Sequence, residues 1–186
     1  MALEREIKLR FESVEDARVR ILALGATPLR GRRLQEDCLL DTDEEVLRRK
    51  RCVLRVRNEG GKSLLTFKGP VQPGVMKIRE EFETVVADGG TLLQILQALG
   101  LHVWFRYEKY REEFAVEDVV IALDETPVGT FVEIEGSERH IQDTARRLGF
   151  GESDYITDSY RTIFLKHRDA AGLDGPDMVF APGAGA

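Results

Sequence analysis

Charged side chains recur at every second residue in most stretches of this sequence that read as strands. In an extended chain, alternate residues project from one face. Glu4, Glu6, Lys8 and Arg10 therefore share a face, opposite Leu3, Ile7, Leu9 and Phe11. Arg55 and Arg57 oppose Leu54 and Val56, while Lys77, Arg79, Glu81 and Glu83 oppose Met76, Ile78 and Phe82, with Glu80 an exception. Lys109 and Arg111 repeat the pattern, Asp124 opposes Ile121 and Leu123, and Glu133 and Glu135 oppose Val132 and Ile134. Such faces either meet bulk water or look toward one another inside a closed sheet. The second arrangement confines cations and carboxylates together, and their desolvation is expensive unless solvent, metal or ligand compensates. A hydrated tunnel satisfies that condition, and periodicity alone leaves both arrangements open.

The elements that must position these residues are mostly strands. Period-two patterning runs around residues 2–11, 33–41, 52–58, 63–69, 75–87, 102–115, 117–124 and 129–136. Helical spacing predicts helices over 13–24, where Ser13 caps and Gly25 stops the element, and over 91–99, 138–148 and 158–167. The strands follow one another through Asn58-Glu59-Gly60-Gly61 and the 69–74 segment, both suited to hairpins or short loops. Consecutive strands with single helices between them favour an α+β fold built on an antiparallel sheet or barrel over a doubly wound one. Residues 169–186, rich in Ala, Gly, Pro and Asp, read as a mobile tail after one domain over 1–168.

Composition narrows the function. The chain has 186 residues, 42% hydrophobic and 32% charged, enough for one well-buried domain. A formal charge of -6 disfavours unspecific attraction to nucleic acid or anionic membrane, so neither is expected as a partner. No apolar run is long enough to span a bilayer, and the opening MALEREIKLRF puts charges where a signal peptide needs an apolar stretch, so a cytoplasmic location is expected. Cys38 and Cys52 are too few for a disulfide framework and read as reduced thiols, and the three histidines have no ligand spacing. The number of copies in the assembly is not legible here.

Three segments then carry a resemblance. Glu4-Arg5-Glu6-Ile7-Lys8 resembles the ExExK signature that opens the CYTH family, named for class IV adenylate cyclase and thiamine triphosphatase. It is followed in order by Leu54-Arg55-Val56-Arg57 and by Leu65-Thr66-Phe67-Lys68-Gly69-Pro70. Arg79-Glu80-Glu81-Phe82-Glu83, Lys109-Tyr110-Arg111, Leu123-Asp124-Glu125 and the 129–136 segment extend the match across residues 2–165. The resemblance implies an eight-stranded antiparallel closed barrel, the triphosphate tunnel, with helices packed outside. It further implies a divalent-metal-dependent enzyme, using Mg2+ or Mn2+, that acts on a triphosphate-containing small molecule such as inorganic triphosphate or ATP. Hydrolysis is the leading reaction, with class IV adenylate cyclase chemistry and a non-catalytic polyphosphate or nucleotide sensor as alternatives.

By the same resemblance, Lys8, Arg55, Arg57, Lys68, Arg79, Lys109 and Arg111 bind the triphosphate. Arginine grips phosphate oxygens through paired hydrogen bonds, whereas lysine acts as a point charge. Glu4, Glu6, Asp124, Glu133 and Glu135 are the candidate metal ligands, because hard cations prefer carboxylate oxygens bridged to substrate phosphate. Glu4, Glu6 and Lys8 are the candidate catalytic residues, and Asp37 and Glu81 the supporting carboxylates. Two departures stand out. Cys38 and Leu39 occupy positions where relatives commonly have tyrosine, and Val53 replaces a tryptophan that thiamine triphosphatases resemble one another in carrying, so thiamine specificity is not expected. Trp104, Phe105, Tyr107 and Tyr110 are either packing residues or a purine stack near the basic Lys109-Tyr110-Arg111 element.

Overall fold

The structure is a computed structural model and describes residues 2–181. Eight strands, β1 (Ala2–Phe11), β2 (Thr27–Asp41), β3 (Val53–Glu59), β4 (Lys62–Lys68), β5 (Lys77–Val86), β6 (His102–Val116), β7 (Val119–Thr126) and β8 (Gly129–Glu135), form the sheet. They close into a barrel in the order β1-β5-β4-β3-β2-β6-β7-β8, with every neighbouring pair antiparallel. The expected tunnel architecture is therefore present. Its five α-helices are α1 (Val14–Ala23), α2 (Val46–Arg49), α3 (Gly89–Ala98), α4 (Glu138–Arg147) and α5 (Tyr160–Ala171).

Local sequence explains most boundaries. Ser13 accepts a hydrogen bond from Asp16 N at 3.1 Å, capping α1, and Gly25 ends it at φ 82°. The β3–β4 hairpin turns through Gly60 (φ 54°) and Gly61 (φ 79°), the pair of positive values that a two-residue turn matched to strand twist requires. Helix α3 starts at Gly89, earlier than helical spacing predicts, because Asp88 caps it by accepting from Gly90 N and Thr91 N. Strand β2 begins at Thr27, well before the period-two signal, since irregularities between Pro28 and Arg33 break the alternation while pairing to β6 continues.

The main core lies outside the barrel wall. Ile7, Leu9, Phe11, Ile121, Ile134 and Val132 from the strands bury against Ala17 and Ile21 of α1 and Ile141 and Ala145 of α4. That inversion frees the inner faces for charge. A second cluster closes one end: Phe105, Tyr107, Phe131 and Leu39 pack against Tyr160, Ile163 and Phe164 of α5.

The predicted mobile tail differs over its described part. Met178 is fully buried in the α5 cluster, its N–H donates to Arg106 O at 3.0 Å, and Glu108 N donates to its carbonyl at 2.8 Å. Asp177 accepts from Arg106 N at 2.7 Å, and Phe180 rests on Tyr110. The physical reason is an open edge. Strand β7 pairs with β6 only from Tyr110 onward, so the backbone around 106–108 lacks a ladder partner until the C-terminal segment supplies one. Composition could not show that one methionine would anchor the segment. Residues 182–186 of the predicted tail lie outside the described residues.

Candidate active site

The inner faces enclose a cavity of about 590 Å³. Among the residues singled out from sequence, Glu4, Glu6, Lys8, Arg55, Arg57, Lys68, Arg79, Glu81, Lys109, Arg111, Glu133 and Glu135 all line it. Barrel closure gathers most of the carboxylates on one side and four cations on the other, with Lys8, Lys77 and Arg79 set among the carboxylates and Glu59 and Glu113 among the cations. Adjacent strands β5, β1 and β8 bring Glu81, Glu4, Glu6, Glu133 and Glu135 together, while β3 and β6, on either side of β2, present Arg55, Arg57, Lys109 and Arg111.

On the acidic wall, register sets Lys8 opposite Glu133 and Glu6 directly opposite Glu135. Lys8, 2% exposed, lies 3.2 Å from Glu6 Oε1 and 3.0 Å from Glu133 Oε1. Burial would strip the proton from this lysine, but Glu133 and Glu6 more than compensate and hold it above the usual range. Burial likewise opposes the charge on Glu6, and Lys8 and Lys77 overcome it, with Lys77 Nζ 2.6 Å from Glu6 Oε1. Glu4 is different: burial and the neighbouring Glu6 raise it, and although Lys68 Nζ reaches its Oε1 at 2.6 Å, its Oε2 is buried without a hydrogen bond. Glu135 still reaches solvent at the rim, yet burial among protein atoms, then Glu4, Glu6 and Glu81, push it up to about 7.

The basic wall is held from behind. Arg57 makes a two-pronged contact with Asp37, Nε to Oδ1 at 2.8 Å and Nη2 to Oδ2 at 3.2 Å. Arg55 Nη2 donates to Thr66 Oγ1 at 3.1 Å, and its Nε lies 3.4 Å from Asp37. Asp124, fully buried, accepts from Lys109 at 2.8 Å, from Arg111 at 2.6 Å and from Tyr160 Oη at 2.5 Å. Arg111 also contacts Glu133, bridging the walls. Asp37 and Asp124 therefore stand behind the lining and do not face the cavity. Burial and the adjacent Arg111 lower Lys109 to about 8, the mark of cations crowded in an enclosed space.

Several lining residues escaped the sequence assignment. Lys77 stands in the alternating run with Arg79 but carries no assigned site role, and Glu59 and Glu113 continue marked runs at spacing two from Arg57 and Arg111, so the same alternation could have found them. Gln35 lies two residues from Asp37 within the 33–41 alternation, whereas Arg30 enters through the irregular start of β2, where no local pattern flags it. Tyr160 and Arg161 arrive from α5, and the tertiary fold sets their place in the lining. Arg10, although in register with Glu4 to Lys8, stays exposed outside the cavity, its guanidinium 5.4 Å from the Phe131 ring centroid. The aromatics are committed to packing. Tyr107 stacks on Phe105 and lies beside Tyr160, Arg48 and Arg161 lie over Trp104 at 4.3 and 4.7 Å, and Arg32 lies over Tyr110 at 3.6 Å.

A closed barrel whose inner faces line one cavity with carboxylates, lysines and arginines defines the architecture. The CYTH domain profile matches residues 2–160, and the chain belongs to that family. A protein of Methanocaldococcus jannaschii provisionally named an adenylate cyclase is 29% identical over 147 residues, covering 78% of this chain and 83% of the relative. Among solved structures, a Vibrio parahaemolyticus protein also provisionally named an adenylate cyclase superposes with a TM-score of 0.78 at 20% identity, covering 88% of this chain and 98% of that one. A Hippeastrum protein described as having a dominant triphosphatase activity superposes with a TM-score of 0.65 at 20% identity, covering 93% and 98%. Among the described residues, no helix is long and apolar enough to cross a membrane.

Proposed function

We propose that the chain is a divalent-metal-dependent triphosphatase whose substrate is inorganic triphosphate or an organic or nucleoside triphosphate. The observation that carries this reading is one cavity lined by converging lysines and arginines, with most of its carboxylates gathered on the β5-β1-β8 side. A triphosphate carries roughly three to four negative charges at neutral pH, extending the ionisation of a phosphate ester. Arg55, Arg57, Lys109 and Arg111 supply converging donors, with Lys8, Lys68 and Arg79 across from them. Asp37 and Asp124 act as positioning residues that hold those cations in fixed directions.

The acidic wall fits a hard cation. Its donors are all carboxylate oxygens, Glu6 and Glu135 oppose each other without a cation between them in register, and Glu4 Oε2 is buried and unpartnered. Among the described residues no three carboxylates already converge as a ligand set, and Lys68 and Lys77 neutralise Glu4 and Glu6. Glu4, Glu6, Glu133 and Glu135 are the residues that would hold Mg2+ or Mn2+, which when bound offsets phosphate charge and acidifies a coordinated water. In the reaction a water oxygen would form a bond to the terminal phosphorus as the bridging P–O bond breaks, the water's proton ending on the product phosphate oxygens, to give phosphate and a diphosphate. The arginines of the basic wall stabilise charge developing on the departing oxygen, in directions already set before substrate arrives.

The alternative, attack by a nucleotide's own 3′-hydroxyl to give cyclic AMP and pyrophosphate, needs a seat for adenine. The aromatics that line the cavity, Tyr107 and Tyr160, are packed into the plug, which favours hydrolysis. Incubation of the purified protein with Mg2+ or Mn2+ and either inorganic triphosphate or ATP, with products identified by mass, tests this. Phosphate release is expected. Cyclic AMP would replace the reading with the cyclase, and tight binding without turnover would replace it with a sensor.

A further inference from the structure

We propose a second phosphate subsite at the α5 end of the cavity, centred on the Arg161 guanidinium, that takes one phosphate group beyond the three held in the bore. The proposal rests on the triphosphate reading of the main site. Arg161 lines the same cavity as the basic wall but comes from α5 instead of a strand. It forms no ion pair or side-chain hydrogen bond among the described residues, whereas the strand cations of the bore are each engaged by a carboxylate or a carbonyl. Its guanidinium is instead laid over the Trp104 ring, at 4.7 Å from the centroid, with Arg48 over the same ring at 4.3 Å. Arg48 is itself engaged by Glu45 at 2.6 Å and Asp41 at 3.5 Å.

The positive charge at Arg161 is therefore uncompensated. Burial, then Arg48 and Arg168, weaken its hold on its proton, and Glu45 opposes them only in part. Such an accumulation in a chain of net charge -6 is a local exception that an anion would relieve. Arg48 also opens the run Arg48-Arg49-Lys50-Arg51, whose last three members are exposed. The contact with Trp104 restrains the Arg161 side chain, and a guanidinium with no carboxylate partner can grip phosphate oxygens in pairs. The phosphate could be the fourth unit of a linear chain or orthophosphate released by hydrolysis, and the chemistry at Arg161 is the same for both.

Trp104 is the only tryptophan of the chain and reports directly on this site. Metal-free protein is titrated with inorganic triphosphate, inorganic tetraphosphate and orthophosphate, following heat by calorimetry and Trp104 emission. Tetraphosphate is expected to bind about tenfold more tightly than triphosphate, the share of one charge-assisted hydrogen-bonded contact, and to change the emission. Arg161→Gln should abolish both effects with triphosphate affinity unchanged, which also shows the variant to be folded, and Arg161→Lys should retain part of them. An Arg161-dependent emission change with orthophosphate on triphosphate-saturated protein identifies released product as the occupant; a change with tetraphosphate alone identifies the longer chain. Equal affinities with no emission change, or a change that survives in Arg161→Gln, overturns the subsite. Absence of triphosphate binding in the wild-type protein would instead remove the main-site reading, and an Arg161-dependent response to orthophosphate would still support the subsite.

Discussion

Arg57 offers a test in which structural and functional roles separate. The residue is 7% exposed and its guanidinium is paired with Asp37, 2% exposed, so Arg57→Ala strands a buried carboxylate. Removing one partner of a buried pair costs about 3–5 kcal/mol. Arg55 Nε remains 3.4 Å from Asp37 and keeps part of the compensation, which places the expected loss at the lower end, about 3 kcal/mol. The double variant Asp37→Ala/Arg57→Ala removes the stranded charge as well, and Arg55 retains Thr66 and Glu83. Its stability should recover to within about 1–2 kcal/mol of wild type, the scale of the small packing defect left behind. Triphosphate affinity should not recover. Losing a charge-assisted contact worth about 1.5–3 kcal/mol weakens binding roughly tenfold to a hundredfold. Urea unfolding reports the first quantity and metal-free calorimetry with inorganic triphosphate the second. A double variant that is stable and binds triphosphate as wild type does would refute the role of Arg57 as a phosphate ligand and reduce the pair to a structural one.

Further outcomes follow from the acidic wall and the plug. Because Glu135 is raised from 4.5 to about 7, the folded protein holds a proton there that the unfolded chain has already lost; without metal, stability should decline as pH rises across that window and level off above it. Mn2+ must displace that proton, so calorimetry should find affinity up to about tenfold weaker at pH 6 than at pH 8, and Glu135→Gln should flatten the dependence. Tyr160→Phe deletes the 2.5 Å hydrogen bond to Asp124 but leaves Lys109 and Arg111 in place. Thermal unfolding should show a loss of about 1–2 kcal/mol, and an unchanged midpoint would show that the phenol does not support the carboxylate.

Alternation is a local property, and it carried a large share of this protein into view. The inner face of β1, from Glu4 to Lys8, and those of β3 and β8 were readable residue by residue because a strand's side-chain period is two. So were the caps and glycine turns that end elements, which depend on a few adjacent residues. Periodicity could not say whether those faces met water or each other, since closure is a matter of pairing between β1 and both β5 and β8, far apart in sequence. Only closure turned Glu6 and Glu135 into facing neighbours and set Asp124, which shares the alternating pattern, behind Lys109 and Arg111 instead of in the bore. Tyr160, Arg161 and Met178 likewise acquired their places when α5 and the following segment docked against the barrel end. Sequence determined which side chains share a face; the tertiary structure decided which faces meet, because contacts between distant strands depend on a register that no short stretch encodes.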